Sequence, residues 1–578
     1  MPSLFLAFSS LLVSYTLALP VQPVPPKRFS ARHNDGLNVL ETGKRGTANG
    51  VIGLGDNSDL LYTVPITMGD TTTVVNIDTG SSDLWVISSD CTADLCAKAS
   101  KSVQPIPAAS LQTTGANVTM RYGDSTTGTF ASGPIAMDTI SIAGVAIDSQ
   151  LFAAIDDTTN SVVQFGAAGI FGLGFPSESQ IQGAAVQHKF GTETTTDHFV
   201  AASYADGPLI SRIAQSGALE LPMFTISLQR STIDISGTGA LTLGKLPDGI
   251  DNSSLTWVPV RLYSAAEGGL AAPTFAPNEV YPLRWEVDID GVFLDGQEIA
   301  NSKIPTTGGV DAKRTSALID TGNSILRGPS DVVSTILSSI SPQYEPTLPD
   351  RRKDVPNRPR DLIGPQVASS AKTCVVDNLV ATDAPSVGAL FRWSLGDPFL
   401  KSNLVAFHYG NLTNPSVDPP RIGFLSQVPA NASALLAAAV SDAQEAGGDF
   451  ESTLVVAPTA SAALEQQVTV VPSSASAMAA ALTGTHAATT KAPSQPQRPA
   501  PPPPPPPPTS RTPTASRTRL AAVWASGIPG CWRSEQLRLW RGSTVWGDEW
   551  HSAARAFVEA LALKTLFETK YTPFSDIL

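Results

Sequence analysis

From about Leu60 to Leu425, short apolar runs alternate with clusters of Gly, Asp and Ser. Tyr62-Thr-Val-Pro-Ile-Thr-Met68, Thr73-Val-Val-Asn-Ile77, Leu241-Thr-Leu-Gly244 and Leu255-Thr-Trp-Val-Pro-Val260 are of this kind. Runs rich in β-branched and aromatic residues, bounded by turn formers, read as strands. The pattern predicts an all-β protein with many turns. Helical periodicity is sparse, and its better candidates are Ser330 to Ser339 and Pro208 to Ser216.

The pattern changes at both ends. Leu4 to Leu17 is mostly apolar and is followed by Ala18, which predicts a secretory signal peptide over residues 1–18, although no Lys or Arg precedes the run. Residues 19–45 are Pro-rich and basic, with Lys27, Arg28, Arg32, Lys44 and Arg45. The dibasic pair before Gly46 favours a cleaved propeptide over a merely disordered arm. Beyond Gln427 the composition turns to Ala, Ser, Thr and Pro, and Pro501 to Pro508 is unbroken proline. Residues 429–509 are therefore expected to be a disordered linker or stalk, since such a segment buries too little apolar surface to fold. The tail, 510–578, carries several Arg and Trp residues and one amphipathic stretch near Ala553 to Thr569. It is either a real module or the wrong end of an exon. No apolar run of about 18 residues follows the first one, so no transmembrane segment is expected.

Composition narrows the function. The chain has 578 residues and is 42% hydrophobic, enough for a sizeable core. Its net charge of -13 argues against nucleic acid as a partner, because neutralising phosphates needs a basic surface. Four cysteines (Cys91, Cys96, Cys374, Cys531) are too few for a disulfide scaffold, and no CxxC pair occurs. The six histidines are scattered without ligand spacing, so no metal site is expected. Sequons at Asn117, Asn252, Asn411 and Asn431 fit a secreted, glycosylated protein.

The chemistry lies in one motif that occurs twice. Val74-Val-Asn-Ile-Asp78-Thr79-Gly80-Ser81 and Ala317-Leu-Ile-Asp320-Thr321-Gly322-Asn323 each deliver an aspartate from an apolar run into a tight turn. A lone Asp-Thr-Gly is an ordinary turn; two copies behind buried-strand patterns are not. Hydrolysing a peptide without metal or covalent intermediate takes a base to activate water and an acid to protonate the carbonyl. Two carboxylates that share one proton supply both. Like charges so close cannot both ionise, so the pair splits its pKa values and an acid pH optimum follows.

Further motifs stand in order around the two triplets: Asp83-Leu84-Trp85-Val86; Cys91 and Cys96; Tyr122-Gly123-Asp124-Ser125; Ile170-Phe171-Gly172-Leu173-Gly174; and Trp393-Ser394-Leu395-Gly396-Asp397. With them the chain resembles the pepsin-like (A1) aspartic proteases, in style the secreted fungal enzymes, over more than half its length. The resemblance implies a bilobal all-β fold with pseudo-twofold symmetry and a central cleft, its lobes spanning 46–224 and 225–428. It implies an aspartic-type endopeptidase in which Asp78 and Asp320 hold the nucleophilic water. Ser81 would hydrogen-bond the outer oxygen of Asp78, and Asn323, standing where Thr or Ser is usual, would donate the same bond to Asp320. Thr79 and Thr321 would lock the loops reciprocally, with Gly80 and Gly322 completing the turns. Tyr122 and Gly123 would lie in a flap over an extended protein or peptide substrate with apolar side chains at the scissile bond. Asp124 beside them is either an acceptor for a substrate lysine or a plain turn former. Cys91 and Cys96 would form the family's small disulfide loop. The resemblance implies no cofactor, and a monomer is expected.

The second half departs from the pattern. The stretch from Asp320 to Gly396 is shorter than that from Asp78 to Gly172, and Tyr344 to Lys372 contains Arg351-Arg352-Lys353 and Arg358-Pro359-Arg360. This run is either a surface loop or a gene-model error that replaced core strands. Cys374 has no evident partner in its lobe, and Ser394 replaces an apolar residue. These departures keep open a catalytically impaired pepsin-fold binding protein, and the stalk keeps open a wall-associated stalk protein.

Overall fold

The computed structural model describes residues 46–57, 59–99, 103–123, 128–229, 238–294, 296–305, 315–340, 364–365, 374–375, 379–381, 391–445, 468–470 and 520–524. The expected signal peptide and propeptide, the proline run and the Ala553 to Thr569 stretch lie outside them. So does the basic run, apart from Gly364–Pro365, which pairs with Cys374–Val375.

Strands dominate, and the architecture is all-β and two-lobed. The sheet of the first lobe runs Gly55–Asn57, Leu61–Met68, Thr71–Asp78, Gly169–Gly172, Leu84–Ile87, Val145–Ile155, Thr129–Ile142, Gln112–Tyr122. The central path of the other runs Gly50–Gly53, Ala240–Leu243, Met223–Ser227, Asn403–His408, Arg421–Ser426, Thr256–Tyr263, Tyr281–Leu294, Ser316–Ile319, Trp393–Leu395, Leu326–Gly328, Leu379–Ala381. The strand Gly50–Gly53 thus crosses from the chain's start into the second sheet, pairing with Ala240–Leu243. The expected division between 224 and 225 falls inside the strand Met223–Ser227.

Burial follows the two strand patterns. Leu61–Met68 is buried along nearly its whole length, which suits a central strand covered on both faces. Gln112–Tyr122 alternates, with Ala116, Val118 and Met120 inward and Asn117, Thr119 and Arg121 outward. It belongs to a two-stranded hairpin arm with Thr129–Ile142. One continuous hydrophobic core links the lobes through Phe175, Phe224, Trp285, Phe407 and Tyr409, whose rings stack, tilt or meet edge to face.

Helices form at Leu209–Gln215 and Ser330–Ile340, where periodicity placed them. Two more, Gln180–Phe190 and Thr196–Ala202, come from sequence without a clear apolar stripe; Ser179 and Thr195 cap their first turns by accepting from Gln182 and His198 N–H. Part of the stretch expected as disordered linker differs as well: Ala432–Glu445 is a helix. An Ala- and Leu-rich segment has high helix propensity whether or not it can pack a core. Val468–Val470 pairs with Val145–Ile147, and Leu520–Trp524 pairs with Ile289–Leu294, both in parallel.

Candidate active site

Each aspartate leaves the end of a strand that lies parallel to a support strand. Thr71–Asp78 pairs with Gly169–Gly172, with Gly172 opposite Asp78. Ser316–Ile319 pairs with Trp393–Leu395, and the Asp320 N–H donates to Leu395 O at 3.0 Å. The two turns then meet. Thr79 N–H donates to Thr321 Oγ1 at 3.0 Å, and Thr321 N–H donates to Thr79 Oγ1 at 3.0 Å. Each hydroxyl donates onward, Thr79 to Ile319 O at 2.8 Å and Thr321 to Ile77 O at 3.0 Å. These four bonds bring together residues 242 apart in sequence.

Glycine is required in both turns by close approach. A Cβ on Gly80 would lie 2.4 Å from Asp320 Oδ1, and one on Gly322 would lie 2.3 Å from Asp78 Oδ1. Each carboxyl is therefore seated on the other loop's glycine, close enough for each to act on the other. Like charges so close cannot both ionise, so such a pair holds one proton between them.

The surroundings of the two carboxyls differ. Asp78, only 5% exposed, accepts from Gly80 N–H at 2.8 Å and from Ser81 Oγ at 2.5 Å. Burial pushes its pKa up, while Ser81, Gly80 and Asp320 stabilise the charged form. Asp320 accepts from Gly322 N–H at 2.9 Å. Burial pushes it up as well, and the charge on Asp78 adds to the shift. Asp320 thus has fewer donors than Asp78 to offset its burial.

Asn323 does not do what its position suggested. Its amide donates to Ser394 Oγ at 2.8 Å, and its carbonyl accepts from Ile325 N–H at 3.2 Å. Its backbone N–H donates to Asp320 O at 3.3 Å, but among the described residues no hydrogen bond joins its side chain to the Asp320 carboxyl. An amide is longer than a hydroxyl and carries two roles, and here both are met by neighbours other than the aspartate.

Tyr122 ends its strand opposite Thr129, with its ring 6.4 Å from that of Trp85. Burial, then the charges on Asp83 and Asp78, push its phenol above the usual range. Gly123 follows at φ +81°, a turn conformation suited to glycine. Asp124 lies outside the described residues. Cys91 and Cys96 form a disulfide. Asn117 and Asn431 are exposed; Asn252 and Asn411 are half-buried, with amide oxygens that accept from Trp257 Nε1 and from Thr413 N–H.

The first turn is also held from the second lobe. Leu173 N–H donates to Asp78 O at 2.8 Å, while Leu173 O accepts from Trp285 Nε1 at 2.9 Å and Tyr409 Oη at 2.6 Å. Asp83, 4% exposed, accepts from Ser179 Oγ and from Gln180 N–H at 2.7 Å, tying the Asp78 loop to the helix Gln180–Phe190. Neither contact was foreseen from sequence. An aspartate inside the apolar run Asp83-Leu-Trp-Val-Ile87 was the one available signal for the second.

A family model described as eukaryotic aspartyl protease matches residues 61–414. Among curated proteins, cathepsin E-B of Xenopus laevis is 26% identical over 352 residues, covering 58% of this chain and 73% of that protein. An aspartic protease of Phaffia rhodozyma is 27% identical over 301 residues, 51% of this chain and 57% of its own. Pepsin A of Sus scrofa is 27% identical over 267 residues, 46% and 54% respectively. This chain thus spans between about half and three quarters of these relatives.

Proposed function

The chain belongs to the eukaryotic aspartyl protease family, and on that premise we propose that it is a secreted endopeptidase that cleaves proteins at acid pH through Asp78 and Asp320. The observation that carries this reading is the pair of buried carboxyls, each against the other loop's glycine, at the meeting point of two turns locked by Thr79 and Thr321.

Asp78, held ionised by Ser81 and Gly80, is the base. It takes a proton from a water held between the two carboxyls as that water's oxygen bonds to the scissile carbonyl carbon. Asp320 gives its proton to the carbonyl oxygen, so the tetrahedral species forms without separated charge. The proton on Asp78 then passes to the departing nitrogen as the C–N bond breaks, and the diol returns its proton to Asp320 as it becomes the new carboxylic acid. Both carboxyls end as they began. One proton must be present, so activity falls at low pH when both acids protonate and at high pH when both ionise.

Tyr122 and Gly123, at the turn end of a hairpin, are proposed to close over an extended substrate. Secretion rests on the apolar start of the chain, the sequons and the Cys91–Cys96 disulfide, which suits an oxidising compartment.

The test uses secreted protein from which residues up to Arg45 have been removed. It should cleave an unfolded protein at pH 3 to 5 and stop with a statine-type inhibitor. Tight inhibitor binding without cleavage would instead make it a pepsin-fold binding protein.

A further inference from the structure

The two departures from the family pattern in the second lobe are one contact. Asn323 stands where the first loop has Ser81, and Ser394 stands in the second support strand where the first has Ile170. Ser394 is 7% exposed, and its Oγ accepts the Asn323 amide at 2.8 Å. With Ile325 N–H on its carbonyl, the Asn323 side chain is fixed at both ends. Asp78 therefore has a side-chain donor, Ser81, whereas among the described residues the Asp320 carboxyl has the Gly322 N–H and no side-chain donor besides its partner acid.

We propose that Ser394 is a positioning residue that draws the Asn323 amide off Asp320, making Asp320 the resident acid of the pair and carrying activity to less acid pH than a pair with a donor on each side. This rests on the catalytic reading given above. A hydrogen bond donated to a carboxylate favours the charged form, so a missing donor leaves the pair's upper pKa high. Other groups act on Asp320 from each side. Asp78 faces it from the first loop, and Arg327 from the strand Leu326–Gly328. Asp397, 1% exposed and without a hydrogen-bond partner on either carboxyl oxygen among the described residues, lies just past the support strand, with Lys401 acting on its charge. Burial and the charge of Asp78 raise Asp320, and Arg327 only partly offsets them. A neutral serine thus tunes an acid that it does not touch.

The test is the alkaline limb of the kcat/KM pH profile. Ser394→Ala removes the competing acceptor and frees the amide to turn to Asp320, so the limb should move to lower pH by about one unit, the size of a charge-assisted hydrogen bond. Ser394→Thr keeps the oxygen and should keep the parent limb. Asn323→Ser places a hydroxyl where Ser81 has one, and should move the limb the same way; it replaces Ser394→Ala as the deciding variant if that protein does not fold. A limb that stays put or moves upward in the deciding variant overturns the proposal, as does a Ser394→Thr limb that moves with the alanine variant. If the parent cleaves nothing, the proposed function fails but this inference is still read out: the carboxyl titration of Asp320, followed by NMR in 13C-aspartate-labelled protein and assigned with Asp320→Asn, should drop by the same amount in Ser394→Ala.

Discussion

The two aspartate turns share a sequence triplet and a backbone, and almost nothing else. In the first, Ser81 donates to Asp78, a buried Asp83 ties the loop to a helix, and Ile170 fills the support strand. In the second, Asn323 turns away to Ser394, and Ile325 stands five residues after the aspartate, where the first loop has Asp83. The frame is symmetric because it is enforced twice over, by reciprocal threonine bonds and by glycines with no room for a Cβ. The asymmetry is in the side chains that touch the carboxyls. The duplicated motif builds the pair, and in the proposed mechanism the immediate neighbours divide acid from base.

The hardest way to break that comparison is to remove one acid at a time. Asp78→Asn and Asp320→Asn should each lower kcat/KM by at least about a thousandfold, and the double variant should cost little more than either alone. Such non-additivity marks two groups working as one. Steady-state kinetics at pH 4 on all three variants checks it. A single variant that keeps a tenth of the activity would show that one lobe suffices.

A second test exploits the carboxylate that only the first loop has. Burial, the largest cause, raises Asp83 to about 6, against hydrogen bonds from Ser179, Gln180 and Ile181 that pull it down. Its folded pKa thus exceeds its unfolded value of 3.8. The stability it contributes is fully present below pH 3.8 and is lost as pH rises through about 6, a decline of roughly 3 kcal/mol. Asp83→Asn should flatten the fall of the urea midpoint between pH 4 and 6, whereas Ile325→Val in the second loop should leave its slope alone. Equal slopes in Asp83→Asn and parent would place the pH sensitivity elsewhere.

Third comes the frame itself. Gly80→Ala and Gly322→Ala would each drive a methyl into the opposite carboxyl, at 2.4 and 2.3 Å. Displacing a reacting group by this order costs about a hundredfold in rate. Nearly equal losses in kcat would sharpen the symmetry of the backbone; a tolerated alanine on one side would show that this turn has slack.

How much of this the residues announce depends on the range of the interaction. Asp78 and Asp320 were legible because a strand-turn pattern is local and occurs twice, and the all-β character was legible because short apolar runs persist over more than three hundred residues; the two lobes followed only from the resemblance. The helix Gln180–Phe190 was not: its burial comes from Ile181, Gln182 and Val186, without a stripe, and only the Ser179 cap marks it. The helix Ala432–Glu445 was hidden by the reverse error, in which low apolar content was read as disorder although alanine needs no core to favour a helix. Asn323 was misread for a different reason. Its type permits a bond to Asp320, but which acceptor wins depends on Ser394, 71 residues away, and neither departure alone carries that information.

The smallest effect is the most exacting test of symmetry. Thr79 and Thr321 each accept a backbone N–H from the other turn and donate to a strand carbonyl, with lengths between 2.8 and 3.0 Å. Replacing either hydroxyl by the methyl of valine leaves a buried N–H and a buried carbonyl unpaired, at about 1–2 kcal/mol. The expected result is a matched pair of destabilisations for Thr79→Val and Thr321→Val, read from urea midpoints at pH 4. The double variant should lose close to the sum, because each hydroxyl serves its own donor and acceptor and no bond joins the two. Unequal single losses would mean that one lobe bears the junction while the other merely leans on it. The likeness of the two turns would then be a matter of shape without a shared mechanical role.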